Sequence, residues 1–274
     1  MTVSLDSILA ATRTRVARLR DRRSEILEAA GRAAPAAPWS AAFAGDRVAL
    51  IAEIKRRSPS AGAIAPRLDA AGHARAYVAG GAAAISVLTE EPHFGGSIAD
   101  LSAVRRAVPV PLLRKDFILD PLQLHESRAA GASAVLLIAR ALDPKRLEEL
   151  SAVARALGLA RLVEVHTLGE LELALALAPE AVGVNCRDLA TFAMRPEAAA
   201  PVLAAIPAGV LAVAESGIAT RADVERVAAW GADAILVGTA LAGAADPTHA
   251  VAGLVGVPRV GRPGMTRRRG GSTP

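Results

Sequence analysis

The chain has 274 residues, 52% hydrophobic and 22% charged, which is enough apolar material for one large core and too much for a disordered polypeptide. Aromatic residues are only 3%, so the core has to be built from Ala, Val, Leu and Ile, and a surface that stacks nucleic-acid bases on rings is disfavoured. The net charge of +5 is terminal in origin: residues 257–274 hold Arg259, Arg262, Arg267, Arg268 and Arg269 and no acid, and the other 27 basic residues balance 27 acidic ones. This Gly-, Pro- and Arg-rich stretch reads as a disordered, solvated tail rather than an anion-binding arm, so no nucleic-acid partner is expected. A single cysteine, Cys186, excludes an internal disulfide and any CxxC zinc or redox motif. The chain opens without a basic-then-apolar leader. Its longest uncharged run, Ala198 to Ala214, is 17 residues and broken by Pro201 and Pro207, short of a membrane span. A cytoplasmic protein without membrane contact is the expectation.

In chain order, residues 1–46 come first as a helical extension. Leu5, Ile8, Leu9, Thr12, Val16 and Leu19 fall on one helical face with Arg and Asp opposite, and an Ala-Pro stretch over 31–38 links this helix to the first apolar run. Short apolar runs then recur: Val48–Ile54, Ala83–Leu88, Pro111–Arg114, Ala134–Ile138, Arg161–Val165, Ala181–Asn185, Leu211–Glu215 and Ala234–Val237. Each has the length of a strand buried on both faces. Between them lie segments of helical period, such as Asp143–Leu157, where Asp143 is a candidate N-cap with Pro144 at the first helical position, and Thr220–Trp230, with Thr220 as the cap. Three runs begin alike, at Gly81-Ala-Ala-Ala-Ile, Gly131-Ala-Ser-Ala-Val and Gly231-Ala-Asp-Ala-Ile, the mark of a repeated helix-to-strand turn. Eight strand–helix units predict an α/β fold of the closed (β/α)₈ TIM-barrel type over 47–256, with the extra N-terminal helix laid across its mouth. An open doubly wound sheet is the structural alternative, but no GxGxxG turn is present.

In such a barrel the chemistry sits at the C-terminal ends of the strands, and the unusual polar residues occur at the run exits: Glu53 and Lys55, Lys115, Glu164, Asn185, and Glu215-Ser216-Gly217. Residues two apart on a strand share a side, which places Glu53 with Lys55, Leu113 with Lys115, and Leu162 with Glu164. Of 32 basic residues only Lys55, Lys115 and Lys145 are lysines. Two of these stand at strand exits, where an ammonium can shift its pKa and donate a proton as a guanidinium cannot. Ser216-Gly217 and Gly238-Thr239, after the last two runs, occupy the usual phosphate position of this fold, and Ser58 and Ser60 add hydroxyls after the first. The five histidines lack any compact ligand spacing, so no metal is expected. There is no Walker A loop and no GxSxG elbow. His166 could line the mouth but reads better as structural, and Cys186 should point away from the cavity and pack as a small apolar residue.

The motifs Ile51-Ala-Glu-Ile-Lys-Arg-Arg-Ser-Pro-Ser60, Ser86-Val-Leu-Thr-Glu90 with Phe94-Gly-Gly-Ser97, Pro111-Leu-Leu-Arg-Lys-Asp-Phe-Ile118, Leu162-Val-Glu-Val-His166, Val184-Asn-Cys-Arg-Asp-Leu189 and Ala214-Glu-Ser-Gly-Ile218 together resemble the indole-3-glycerol phosphate synthase family, from about residue 4 to about 255. That resemblance implies closure of the indole ring of tryptophan from 1-(2-carboxyphenylamino)-1-deoxyribulose 5-phosphate, with loss of carbon dioxide and water and without a cofactor. It implies Lys115 as general acid at the ribulose carbonyl, Glu164 as the group handling the proton of the later dehydration, and Lys55 near the substrate carboxylate. Glu53 and Asn185 are implied to orient these groups. Arg187, Ser216 and Glu215 are implied as further substrate contacts, Phe94 and Phe117 as rings of the anthranilate pocket, and Ser58, Gly217, Gly238 and Thr239 as the phosphate site. The sequence departs from the family pattern at Cys186 and Asp188, where Asn is common, at Thr239, where an acid is usual, and in the Arg-rich tail. A small anionic phosphorylated substrate and a monomer or weak oligomer are expected. The nearest alternatives are another phosphate-binding barrel such as phosphoribosylanthranilate isomerase, which has no need of the two strand-exit lysines, and a non-catalytic barrel that binds a phosphorylated metabolite.

Overall fold

A computed structural model describes residues 3–187 and 194–262. Eight parallel strands close into a barrel in the order β1-β10-β9-β8-β7-β6-β5-β4: β1 Ala49–Ile54, β4 Ala84–Leu88, β5 Leu112–Lys115, β6 Ala134–Ile138, β7 Ala160–Val165, β8 Ala181–Asn185, β9 Leu211–Glu215 and β10 Ala234–Val237. The expected TIM barrel is thus present, each strand lying within a residue or two of its apolar run. Two further strands, β2 Arg57–Ser58 and β3 Gly62–Ala63, pair antiparallel in the loop after β1.

Alternation divides the core in two. Leu50, Ala52, Ile54, Ile85, Val87, Leu112, Val135 and Leu137 face outward under the helices. Ile51, Leu113, Leu136, Leu162, Val213 and Leu236 fill the interior, interleaved with Ala84, Ala134, Ala181 and Ala234. Small beside large is how a barrel of this width packs without rings. The helices begin where their caps predict. α6 (Pro144–Ala156) starts on Asp143, whose carboxylate accepts from the Arg146 N–H. α9 (Arg221–Ala229) starts on Thr220 in a capping box with Asp223. The repeated turns use glycine because the backbone goes left-handed there, with φ of 106° at Gly81, 88° at Gly131 and 97° at Gly231.

The N-terminal extension is more elaborate than one helix. α1 (Leu5–Arg20) buries the anticipated face of Ile8, Leu9, Thr12, Val16 and Leu19. A second helix, α2 (Arg23–Arg32), then packs on α5 (Pro121–Ala129). Ile8 and Leu9 join the interior cluster beside Phe117 and Ile138, and the Arg15 guanidinium donates to Asp116 Oδ2 at 2.7 Å, just past β5. α1 therefore lies on the rim of the mouth. At the other end a single 3-10 turn, Ser40–Phe43, brings Trp39 and Phe43 against the starts of β9 and β10, their rings 4.8 Å apart. These two rings close the bottom of the barrel.

The segment expected as a free tail from 257 is attached over its first residues. Val257 is buried and its carbonyl accepts from Val48 N–H at 2.8 Å. Arg259 donates to the carbonyls of Arg47 and Phe43, and Arg262, 4% exposed, pairs with Asp233 at 2.8 Å. The body continues to Arg262 because its guanidinium meets acceptors buried at the barrel floor, the Asp233 carboxylate and the Gly231 carbonyl. Arg267, Arg268 and Arg269 lie outside the described residues.

Candidate active site

The strand exits converge on one cavity of about 470 Å³ at the mouth. Every candidate residue lines it: Glu53, Lys55 and Ser58 after β1, Phe94 after β4, Lys115 and Phe117 at β5, Glu164 on β7, Asn185 and Arg187 at β8, Glu215, Ser216 and Gly217 at β9, and Gly238 and Thr239 at β10. Asp188 and Leu189 of the β8 motif lie outside the described residues.

At its centre is the Lys115 ammonium, donating to Glu164 Oε2 at 3.0 Å and lying 3.3 Å from Glu215 Oε2. Burial works against its charge, but the carboxylates of Glu164, Glu215 and Glu53 outweigh it and raise the Lys115 pKa above the ordinary lysine value. The two acids respond in opposite directions. Burial would raise Glu164, yet Lys115, His166 and a 3.1 Å hydrogen bond from Asn185 Nδ2 bring it below the usual carboxylate range. Glu215, with burial dominant and two other carboxylates near, is pushed up to about 8 despite Lys115. Near neutral pH the site therefore holds an ammonium, an ionised acid and a protonated acid side by side. Glu215 Oε1 finds no hydrogen-bond partner, and a Cβ on Gly183 would sit 2.1 Å from it. Gly183 is glycine so that this carboxyl has room.

Lys55 and Glu53 form the second pair, Nζ to Oε1 at 2.8 Å. They lean over Gly238, where a Cβ would come 2.4 Å from Glu53 Oε1 and 2.7 Å from Lys55 Cε. Gly238→Ala is expected to displace this pair and lower kcat/KM at least about tenfold, with a smaller effect on Tm because the atoms it meets are side-chain ends rather than backbone; parallel kinetics and thermal melts check it. At the neighbouring exit of β9, Ser216 and Gly217 both adopt left-handed backbone, φ 68° and 73°. A serine held there marks a constrained loop. Ser58 Oγ accepts from the Ala61 N–H at 3.1 Å and lies 3.4 Å from Ser60 Oγ.

The rings are held from behind. Phe94 N–H donates to the buried Glu90 at 3.0 Å, Phe117 N–H donates to Asp116 Oδ1 at 2.8 Å, and the two ring centres are 6.3 Å apart. Leu136, Ile138 and Leu236 complete an apolar floor. Sequence reading passed over these three, although their strand positions alternate with outward residues and so announce an inward face. It also passed over Arg114, wholly buried outside the barrel, where Thr89, Asp116, Glu126, Ser127 and the Gln123 carbonyl accept its hydrogen bonds. No spacing signals that network. Cys186 packs in the outer core, its thiol pushed up to about 11 by burial, in keeping with a small apolar role. His166 is buried and is not among the cavity residues.

A sequence model of the family described as indole-3-glycerol phosphate synthase matches residues 5–254. The chain is 47% identical to the indole-3-glycerol phosphate synthase of Rhodococcus jostii over 93% of its own length and 95% of that protein's. It is likewise 47% identical to indole-3-glycerol phosphate synthase 1 of Streptomyces coelicolor, over 92% and 94%. Among solved structures, 3-hexulose-6-phosphate synthase from Salmonella typhimurium superposes with a TM-score of 0.59 at 16% identity, covering 76% of this chain and 96% of that one. Thiamine phosphate pyrophosphorylase from Pyrococcus furiosus gives 0.56 at 18%, over 76% and 93%. These two likenesses concern the fold alone.

Proposed function

The chain belongs to the indole-3-glycerol phosphate synthase family, and on that footing we propose how its cavity divides the work of the reaction. The enzyme is a carboxy-lyase that converts 1-(2-carboxyphenylamino)-1-deoxyribulose 5-phosphate to indole-3-glycerol phosphate, releasing carbon dioxide and water in tryptophan biosynthesis. The observation that carries the division of labour is Lys115, an ammonium suspended between two carboxyl groups at the centre of the mouth.

Attack of the aromatic carbon on the ribulose ketone puts negative charge on oxygen. Lys115 stabilises that charge and then protonates it, since an alkoxide is basic enough to take a proton from a lysine whose pKa is raised. Carbon dioxide then leaves from the ring carbon that made the attack, and the electrons of the broken bond restore the aromatic double bond. In the subsequent dehydration, Glu164, held ionised by Lys115 and Asn185, takes the proton from the ring carbon next to nitrogen and passes it to the departing hydroxyl, which leaves as water. Lys55, steadied by Glu53, faces the substrate carboxylate, and Arg187 at the exit of β8 is a further substrate contact. The phosphate is assigned to the adjoining exits of β9, β10 and β1, at Ser58, Ser216, Gly217, Gly238 and Thr239, where small residues let backbone N–H groups approach an anion. Phe94 and Phe117 line the pocket for the anthranilate ring. α1 at the rim excludes water from the intermediates.

The same reading takes the protein as a monomer or weak oligomer acting in the cytoplasm without a nucleic-acid partner. Purified protein incubated with the carboxyphenylamino-deoxyribulose phosphate should develop indole absorbance and fluorescence. A folded protein that yields no product would overturn this reading and direct attention to isomerase substrates and to binding without turnover.

A further inference from the structure

The loop after β4 is wound around a buried acid that the reaction scheme leaves unused. Glu90, 2% exposed, follows closely on the end of β4. Its Oε2 accepts from the His93 N–H at 2.7 Å and from the Phe94 N–H at 3.0 Å, and its Oε1 lies 2.7 Å from His93 Nδ1. Among the described residues His93 is its only ion-pairing partner, so the carboxylate is spent on two adjacent residues of its own loop. Burying a carboxylate is costly unless its oxygens are satisfied, and the turn is already closed by backbone bonds. Gly95 N–H donates to the Glu91 carbonyl and Gly96 N–H to the Glu90 carbonyl, each at 3.0 Å. Gly96 has to be glycine, since a Cβ there would run into the Leu88 carbonyl. What the side chain adds is the placement of His93 and Phe94, and Phe94 lines the cavity.

The residue before it joins this turn to the second ring. Thr89, 1% exposed, donates from its N–H to the Lys115 carbonyl at 3.1 Å and from Oγ1 to Asp116 Oδ2 at 2.5 Å. The other oxygen of Asp116 accepts from the Phe117 N–H at 2.8 Å. From Phe94 through Glu90, Thr89 and Asp116 to Phe117, one chain of buried polar groups thus holds the backbone of both rings, whose centres are 6.3 Å apart. We propose that Glu90 is a positioning residue for the aryl half of the substrate: acting through Phe94, it fixes the spacing of the two rings and so sets the affinity for the carboxyphenyl group rather than the rate of the chemistry. The rings touch that group alike before and during the attack, which is uniform binding and shows in KM. The inference rests on Phe94 as part of the pocket for the anthranilate ring.

The test is a cycle of kcat and KM on the full-length enzyme, Glu90→Ala, Phe94→Ala and the double variant, with 2-aminobenzoate and inorganic phosphate as competitive inhibitors that probe the two ends of the substrate separately. Glu90→Ala should raise KM about tenfold and leave kcat within about threefold. Added to Phe94→Ala, it should raise KM by no more than about twofold further, because its effect passes through that ring. Inhibition by 2-aminobenzoate should weaken in step with KM, and inhibition by phosphate should stay as in the wild type. Glu90→Gln keeps an oxygen in place for the two backbone N–H groups and should hold KM within about threefold of wild type. If Glu90→Ala does not fold, Glu90→Asp, whose carboxylate is drawn back by one methylene, decides by the same criteria. Losses that multiply in the double variant, a glutamine variant as poor as the alanine one, or phosphate inhibition weakened in parallel would remove the role of Glu90 alone, as would an unchanged KM in Glu90→Ala. An unchanged KM in Phe94→Ala would remove the pocket assignment and the proposal with it.

Discussion

Replacing Lys115 by Met is expected to lower kcat by about a thousandfold or more, since it removes both the proton donor and the charge that stabilises the oxyanion. No neighbour can substitute, because Lys55 is already committed to Glu53 at 2.8 Å. The same change leaves Glu164 and Glu215 facing each other without a cation. Breaking a buried pair from one side costs about 3–5 kcal/mol when the remaining charge cannot escape, but here one acid escapes easily. Glu215 already sits at about 8. Its pKa is raised on folding, so its favourable contribution is complete below the ordinary carboxyl range and is lost as the pH rises through that value. The Lys115→Met enzyme should thus melt close to wild type near about pH 6 and well below it near about pH 9. Adding Glu215→Gln should restore the alkaline Tm and leave turnover absent. Near-normal turnover in the single variant would refute the role of Lys115.

Glu164→Gln should separate the two halves of the reaction. The amide oxygen can still accept from Asn185, but the amide nitrogen now faces the Lys115 ammonium, donor to donor, and no base remains to collect the ring proton. A loss of about a hundred- to a thousandfold in indole formation is expected, with a modest change in KM because this side chain does not hold the phosphate. In a single turnover, carbon dioxide release should run ahead of indole fluorescence, since ring closure and decarboxylation precede the step that needs Glu164. Equal slowing of both signals would move Glu164 to an earlier step.

How far the chain could be read unaided depended on whether a feature is local. Ala181–Asn185 and Ala234–Val237 are strands end to end as read, because a strand buried on both faces is a continuous apolar run with a turn at each end. The run ending at Arg114 stopped one residue short, since Lys115 pairs across to Leu88 in spite of its charge. α2 was not resolved from α1: only Ile26 and Ala30 are buried on it, and it owes its place to α5. The hairpin of Arg57–Ser58 with Gly62–Ala63 is too short to carry a period. In the site, alternation correctly gathered Lys115, Glu164 and Glu53 into one mouth. It could not show that Gly183 is shaped by Glu215, or that Arg15 on α1 meets Asp116 beside Lys115. Those relations exist only once the barrel has closed.

The placement of the first 46 residues has a consequence for how the protein is made. Trp39 and Phe43 seal a floor formed by the starts of β9 and β10, Arg259 fastens the Phe43 carbonyl, and β1 itself pairs with β10. This early segment thus finds its partners only after a segment that is made much later. At about 5–20 residues per second of synthesis, Trp39 and Phe43 wait for strands near the far end of the barrel, and the apolar stripe of Ile8, Leu9 and Leu19 waits for Phe117, Leu122 and Ile138 in its middle. Its alternation with arginines keeps a nascent helix dispersed during that interval, a demand on sequence that no inspection of the finished barrel would impose.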